Sequence, residues 1–422
     1  MERIKLKDDE YFHPYKFKIY PNELQQSIID DFINQYRFVY NWGIEMERKQ
    51  YQDYLDGKSE YGFIFYIELR EIFKEYRKDL PWLTLPSETT RNALRAVEQS
   101  YQYFFKGINK QPKFKSKKNC TLSFHPRHDR FHIFNDCISF ETYRGVGRNA
   151  KKISLGFDSG FTKDTKYYNP TITKDKNGDY YVSFSVIEKK KSVKIIHSEA
   201  IGVDLGVRNT FTTSQPIDGE YYHHQPWNTI NKYTSRIKRL DKQIDKDNKR
   251  RERQAQSLSD KTGTRVKVSD IPKSNRQLKR EEQRRKAYNK IHNIKDTYYH
   301  TMSKKIVTSG YSAIGIEDLK DINTNRAHYL GPHLAKVSFY TIRTYIDYKG
   351  NMYNIPVHIV DHNYPSSQIC SCCEHQQKMP LGTNIYQCPV CGNVMDRDLN
   401  AAVNLQNEAY NYYYGISYGQ VA

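Results

Sequence analysis

The sequence predicts an α+β protein of several domains, in which a β-rich region with an inserted helical block precedes an α/β domain interrupted by a small cysteine-rich module. Three observations lead to this fold class. Two Cys-x2-Cys pairs lie near the C-terminus, two similar apolar segments in the central part each end in an acid, and the N-terminal half changes from helical spacing to short β segments. A chain of 422 residues is long enough for two or three cores.

The composition indicates a polyanionic partner and excludes a membrane role. The formal charge is +19 with an isoelectric point of about 9.3, and 36 Tyr with 19 Phe offer rings that can stack on unpaired bases. Hydrophobic residues make up 37%, and no apolar run reaches the roughly 18 residues that span a bilayer. The segment MERIKLKDDEYF lacks the apolar core of a signal peptide, so we expect a cytoplasmic location in a prokaryote.

The first half of the chain shows both helical and β patterns. Residues 13–20 alternate like a strand, and apolar residues at three- and four-residue spacings predict a helix that begins near Asn22. Further helices are predicted over 45–79 and 87–107. Short β segments between 112 and 196 predict a small antiparallel barrel. The basic segment PKFKSKK at its entrance suits a phosphate backbone and equally suits a solvated turn.

Two central segments resemble each other, AIGVDLG and AIGIEDL. Alternate residues of a strand share a face, so Asp204 lies on the face of Gly202, and Glu317 on the face of Gly315. We expect the glycines to leave space beside each acid for a metal ion and a phosphate. Either acid alone is more typical of a salt-bridged residue at a strand end, but the repetition favours a functional site.

The stretch 232–305 is the most basic part of the chain. It contains 24 Lys and Arg and nine Asp and Glu, a net +15 of the total +19. Two helical patterns are separated by the Gly- and Pro-containing segment 257–274, and a loop followed by a helix is predicted over 320–340. A final strand is predicted at 355–361. A charge run is usually a solvated face, but beside paired acids it favours a bound nucleic acid.

The two cysteine pairs are Cys370 with Cys373 and Cys388 with Cys391. This spacing predicts one zinc ion bound by four thiolates, a closed arrangement that stabilises structure and performs no chemistry. Two disulfides fit poorly because nothing places the chain in an oxidising compartment. Cys372 is surplus, and we expect it to be a free thiol.

The sequence DRDLNAAVNL follows the second pair. We expect a helix to begin near Leu399 with Asp398 at its cap, and Ala401 and Ala402 to let that end approach another element closely. The alternative to a functional role is that Asp398 only caps the helix. Asp396 and Asp398 point roughly 200° apart near a helix start, so both cannot face one metal pair. Asp398 is the preferred ligand because it stands beside the alanines.

Together these features resemble the TnpB family, RNA-guided DNA nucleases that are encoded by insertion sequences and related to the miniature type V CRISPR effectors. The resemblance rests on Asp204, Glu317 and Asp398, on the zinc ribbon, and on DRDLNAAVN. FKIYPNELQQSIIDDFINQYRFVYNWGIE and QPKFKSKKNCTLSF extend it over nearly the whole chain. The sequence differs from the family pattern at Glu374, where the family usually has Gly after the first cysteine pair.

The resemblance implies a division into domains. These are a wedge β-barrel at 1–21 and 112–198, a helical recognition lobe at 22–111, a RuvC nuclease domain with an RNase H-like fold at 199–365 and 395–411, a zinc ribbon at 366–394 and a tail at 412–422.

The resemblance also implies an activity. Asp204, Glu317 and Asp398 would be the catalytic acids that bind Mg²⁺, as two ions, for hydrolysis of DNA to a 5′ phosphate and a 3′ hydroxyl. The four paired cysteines would bind one structural Zn²⁺. A guide RNA would pair with a double- or single-stranded DNA target while the protein reads a short flanking motif, as a monomer or as a dimer on one guide RNA.

Three alternatives are weighed against this interpretation. An actin- or sugar-kinase-like enzyme would share the strand with Asp204-Leu205-Gly206 but would need a second glycine-rich phosphate loop, which the sequence lacks. A nuclease-inactive RNA-guided repressor should have lost an acid, whereas all three are present. A CRISPR-associated effector, in place of a transposon-encoded one, stays open, although DRDLNAA favours TnpB.

Overall fold

A computed structural model of the chain describes residues 5–117, 121–142, 152–162, 165–319, 337–380 and 382–415. The chain forms two compact units, one of Phe12–Glu188 and the other of Met1–Tyr11 with Lys189–Ala422.

The α-helices in the described part of the first unit are α1 (Glu23–Leu55), α2 (Tyr66–Tyr76) and α3 (Ser87–Phe105). The predicted start near Asn22 is confirmed, because the Asn22 side chain accepts a hydrogen bond from the backbone N–H of Gln25 at 2.9 Å. The range 45–79, where further helices were predicted, contains the end of α1 and all of α2 with a break between them. Helix α1 ends before Gly57, which adopts φ +69°, and α2 begins only nine residues later.

The strands of this unit form two sheets. They are β1 (Glu10–Ile19), β2 (Leu122–Phe124), β3 (His132–Phe134), β4 (Cys137–Ser139), β5 (Lys152–Ser154), β6 (Tyr168–Lys174) and β7 (Tyr180–Lys189). The sheet orders are β1-β7-β6-β2 and β3-β4-β5, with every pair in the second antiparallel. The Tyr20 N–H donates to the Ser154 carbonyl at 2.8 Å and so links the two sheets. Closure into a barrel stays a prediction.

Helices and strands of this unit share one hydrophobic core. Phe32 of α1 packs edge-on against Phe124 of β2 with ring centroids 5.5 Å apart, and both are fully buried. The basic segment after Pro112 is held against α1, since the Asn41 side chain hydrogen-bonds both the N–H and the carbonyl of Lys115. The end of PKFKSKK lies outside the described residues.

The second unit is built on a five-stranded mixed sheet. Its strands are β8 (His197–Asp204), β9 (Phe211–Ile217), β10 (Glu220–His223), β11 (Tyr311–Glu317) and β12 (Val357–Val360). Their order is β10-β9-β8-β11-β12. The first three strands are antiparallel neighbours, and β11 and β12 run parallel to β8. The short strand β10 was not anticipated in the sequence.

Among the described residues, the helices of this unit are α4 (Trp227–Thr262), α5 (Asn275–Val307), α6 (Phe339–Tyr353) and α7 (Arg397–Tyr414). The predicted break between α4 and α5 is confirmed: Gly263 ends α4 with φ +65°, and the Ser274 side chain caps α5. The loop expected before α6 lies largely outside the described residues. Helix α7 continues to Tyr414, past the predicted domain boundary at 411.

Within the part of the chain that the structure describes, no helix combines the length and the apolar character needed to cross a bilayer.

Candidate active site

The last helix lies directly on the two glycines of the repeated segments. A Cβ on Gly202 would stand 1.8 Å from the Ala402 carbonyl oxygen, and a Cβ on Gly315 would stand 2.0 Å from the Leu405 carbonyl oxygen. The expectation that this space admits a metal ion and a phosphate is therefore wrong, because the α7 backbone fills it. Ala402 is fully buried at this contact. This agrees with the prediction that the alanines of DRDLNAA permit close approach.

This packing brings the three predicted acids to one place. Asp204 and Glu317 are the last residues of the neighbouring parallel strands β8 and β11, and Asp398 is the second residue of α7. All three line one open groove of about 490 Å³. The other acid of AIGIEDL, Asp318, instead pairs with Arg343 of α6.

The helix begins two residues earlier than expected, which corrects the role of its first acid. Asp396 is the N-cap of α7, and its carboxylate accepts hydrogen bonds from the N–H groups of Asp398 and Leu399 at 2.9 and 3.1 Å. Asp398 was predicted to be the cap, but it lies in the first turn of the helix. The carboxylate of Asp396 is thus occupied by capping, whereas Asp398 lines the groove.

Burial raises the pKa values of two of the three acids, Asp204 and Glu317. Burial, and then the charges of Asp398 and Glu317, raise the pKa of Asp204 well above its ordinary value. Burial is also the main cause that raises the pKa of Glu317 to about 7. Such a group of acids is stabilised by a nearby cation.

Two further side chains extend this row of acids across the sheet. Asp204 is paired with Thr212 of β9, which in turn is paired with Tyr222 of β10. The Thr212 hydroxyl is fully buried and has no hydrogen-bond partner within the described residues. Burial, followed by the charges of Asp396 and Asp398, raises the pKa of Tyr222. Both residues escaped sequence reasoning, because only the register of β9 and β10 places them here.

The donor set fits a hard divalent cation. Three carboxylates line the same groove, and carboxylate oxygens are the ligands that Mg²⁺ prefers. The buried Thr212 hydroxyl, without a hydrogen-bond partner among the described residues, belongs to the residue that pairs with Asp204 across the sheet. Arg397 precedes Asp398 in the sequence, and its Nη2 donates a hydrogen bond to Asp398 Oδ1 at 2.9 Å. Arg208 and His362 also line the groove.

The four predicted thiols form a second cluster. The Sγ atoms of Cys370, Cys373, Cys388 and Cys391 all lie within 4.8 Å of one another, with Cys370 to Cys391 at 3.6 Å and Cys373 to Cys388 at 3.5 Å. Tetrahedral Zn–S bonds of about 2.3 Å place sulfurs about 3.8 Å apart, so this cluster could hold zinc. Cys372 is exposed and lies outside the cluster, as predicted.

The two cysteine pairs have matching turns. The N–H of Glu374 donates to the Cys370 carbonyl at 2.9 Å, and the N–H of Gly392 donates to the Cys388 carbonyl at 3.1 Å. The residue after each pair adopts a positive φ, +60° at Glu374 and +73° at Gly392. Glu374 therefore keeps the backbone geometry that glycine favours, although it carries a side chain.

Two asparagines join this cysteine module to α7. The Asn400 side chain donates to the Ile369 carbonyl at 2.6 Å and accepts from the Ser371 N–H at 3.0 Å. The Asn404 side chain donates to the Ser366 and Ile369 carbonyls, each at 2.7 Å. Their spacing of four residues on one helix face was visible in DRDLNAAVN but was not interpreted.

Two parts of the chain match known families. Residues 339–405 match the family described as "Cas12f1-like, TNB domain", and residues 14–55 match one described as "Helix-turn-helix domain". In the structure the second range contains most of β1 and the uninterrupted α1.

Relatives and a solved structure cover nearly the whole chain. A Streptomyces pristinaespiralis protein named as an RNA-guided DNA endonuclease is 22% identical over 93% of this chain and 88% of its own length. A TnpB-like protein of Acanthamoeba polyphaga mimivirus is 24% identical over 92% of this chain and 72% of its own. The Cas12f1 chain of a cryo-EM complex with sgRNA and target DNA superposes with a TM-score of 0.59 at 11% identity, covering 94% of this chain and 99% of that chain.

The fold and the site thus define a mixed α/β multidomain protein that resembles the miniature type V effectors, with a four-cysteine cluster compatible with a zinc ribbon. Within that class, the predicted resemblance to the TnpB family is confirmed by these relatives.

Proposed function

We propose that this protein is an RNA-guided DNA endonuclease with one hydrolytic site at Asp204, Glu317 and Asp398. The observation that carries the proposal is that two parallel strands and one helix bring these acids to a single open groove. The name of the Streptomyces relative supports the same activity at the level of the family.

The sheet supports the RuvC assignment. Its first three strands are consecutive and antiparallel, its fourth and fifth run parallel to the first, and a helix packs across it, as an RNase H-like core requires. The four-cysteine module between β12 and α7 would be the zinc ribbon. The strands of the first unit would form the wedge domain around the helical lobe.

The acids would hold Mg²⁺, which when bound supplies an activated water and stabilises the leaving 3′ oxygen. Asp204 and Glu317 would be fixed by their strands, and Asp398 by the contact of α7 with the sheet. Arg397 and Arg208 would offer cations to the phosphate oxygens from the groove wall. Cleavage would leave a 5′ phosphate and a 3′ hydroxyl.

The partners follow from charge and from the relatives. The net +15 of residues 232–305 supports binding of nucleic acid through phosphates, and the Cas12f1 structure is a complex with sgRNA and target DNA. A guide RNA would therefore pair with one DNA strand while the protein reads a short flanking motif.

The catalytic role of Asp398 can be tested by comparing its variant with variants of Asp396, which caps the same helix. Asp398→Ala should abolish Mg²⁺-dependent cleavage of guide-matched DNA while RNA and target binding survive. Asp396→Ser keeps a capping oxygen and should retain cleavage, whereas Asp396→Ala should cleave measurably but lose about 1 kcal/mol of stability. Cleavage by Asp398→Ala at the parent rate would exclude the three-acid mechanism.

A further inference from the structure

The exposed side of α4 carries its charges in separate stripes. Seven exposed cations recur at three- and four-residue intervals over 22 residues, namely Lys232, Arg236, Arg239, Lys242, Lys246, Arg250 and Arg253. At 3.6 residues per turn they fall within about 120° of arc and extend about 31 Å along the axis. We call this set the cationic stripe.

The acids of α4 lie elsewhere on the helix. Asp247 pairs with Arg280 of α5, and Asp241 pairs with Arg284, so acids on the α5 side hold the hairpin together. Arg251, outside the stripe, donates to the carbonyls of Val268 and Ile271. None of the seven stripe cations has a carboxylate within ion-pair distance among the described residues.

The stripe contains charge but no aromatic ring. Between Lys232 and Arg253, the same arc otherwise holds small or polar residues such as Ser235 and Gln243. The only exposed large apolar side chain of α4 is Leu258, which lies beyond the stripe. Single-stranded nucleic acids are typically held by stacking of their bases on aromatic rings, whereas a double helix presents phosphates and hides its bases.

We propose that the cationic stripe is the docking surface for the phosphate backbone of a double-helical nucleic acid. Cations spaced about 5 Å apart along about 31 Å suit a row of phosphates and not one isolated anion. The inference rests on the proposed function and narrows it, because it assigns duplex binding to one face of one helix.

The test compares two triple variants of the full-length chain. Arg236→Gln, Arg239→Gln and Arg250→Gln remove three stripe cations. Lys249→Gln, Lys286→Gln and Lys305→Gln remove the same formal charge from lysines already paired with Asp245, Glu282 and Asp218. Binding of a 20-base-pair DNA duplex and of its single strand is measured without Mg²⁺ between 0.05 and 0.3 M salt.

Each phosphate contact contributes about −0.9 to the slope of log K against log salt concentration. The stripe triple should therefore have a slope shallower by about 2.7, and at 0.15 M salt should bind the duplex about 100-fold more weakly than the parent. The paired-lysine triple should lose less than about fivefold, and both should melt at the parent temperature, because Gln is a good helix former.

Equal losses in the two triples would overturn the proposal, since the effect would then be net charge alone. Parent-like duplex binding by the stripe triple, or a loss confined to the single strand, would overturn it as well. Either result would leave the proposed function standing if Asp398→Ala still abolished cleavage. Conversely, cleavage by Asp398→Ala would refute the assignment of the hydrolytic site. A loss of duplex binding specific to the stripe triple would still support the docking surface in that case.

Discussion

A Cβ on Gly202 would lie 1.8 Å from the carbonyl oxygen of Ala402, so helix α7 rests on the bare backbone of β8. Asp204 follows Gly202 by two residues, and Asp398 precedes Ala402 by about one helical turn. The contact between Gly202 and Ala402 therefore sets the separation of two acids that come from distant parts of the chain.

Gly202→Ala should push α7 away from the sheet. Because the clashing atom belongs to the backbone, no rotamer change can relieve it, and we expect a loss of about 3 kcal/mol or more in the free energy of unfolding. Cleavage should fall more than RNA binding does. Denaturant unfolding and a cleavage assay measure the two effects.

The double variant Gly202→Ala with Ala402→Gly controls for this explanation. Removing the Ala402 methyl leaves its carbonyl in place, so the double variant should be no more stable than the single one. Recovery in the double variant would show that side-chain crowding, not the backbone contact, is responsible.

Zinc content should depend on four cysteines and not on the fifth. Replacing Cys370, Cys373, Cys388 or Cys391 with Ser should release about one zinc per chain and destabilise α7, whereas Cys372→Ser should keep the metal. Elemental analysis of purified proteins measures this. Full zinc in Cys388→Ser would contradict the assignment.

Asn400→Ala should uncouple the cysteine module from α7. The change leaves the half-buried Ser371 N–H without its side-chain acceptor and removes one of the two side-chain donors to the Ile369 carbonyl, which keeps Asn404, at a cost of about 2 kcal/mol. A chelator should then remove zinc faster, and cleavage should fall. Asn351→Ala, at an exposed position of α6, is the control and should match the parent in both measurements.

Glu374→Gly should stabilise the first cysteine pair. A non-glycine residue at φ +60° costs about 1 kcal/mol, which glycine avoids. Zinc release by a chelator should slow by about fivefold. Glu374→Ala keeps the strain and should release zinc at the parent rate, so equal slowing in both variants would point to the lost charge instead.

Glu47 should make the stability of the first unit depend on pH. Burial raises its pKa to about 7, above the ordinary 4.5, so the unfolded chain loses this proton first. The contribution of the group is therefore complete below about pH 4.5 and is lost as the pH rises through 7. Above pH 7 the stability that has been lost amounts to about 3 kcal/mol.

Glu47→Gln removes this dependence, and its oxygen can still accept from the Ile64 N–H. The variant should equal the parent near pH 4.5 and exceed it by up to about 3 kcal/mol at pH 8. The exposed Glu45→Gln is the control and should follow the parent at both pH values. Urea unfolding at the two pH values checks the difference.

Features that depend on local spacing could be predicted from the amino-acid sequence. The alternation of a strand put Asp204 and Glu317 at the ends of two similar segments, and the Cys-x2-Cys spacing selected four thiols and left out Cys372. Gly and Pro located the break between α4 and α5. These features are decided within one turn or a few residues, so neighbours in the sequence suffice to predict them.

Features that depend on contacts between distant segments could not be predicted and became visible in the three-dimensional structure. The space beside Gly202 and Gly315 is filled by the α7 backbone, and Asp396, not Asp398, caps that helix. Thr212 lies opposite Asp204 only through the register of β9. Sequence patterns report which face a residue takes, but the element that covers that face is chosen by packing between segments far apart in the chain.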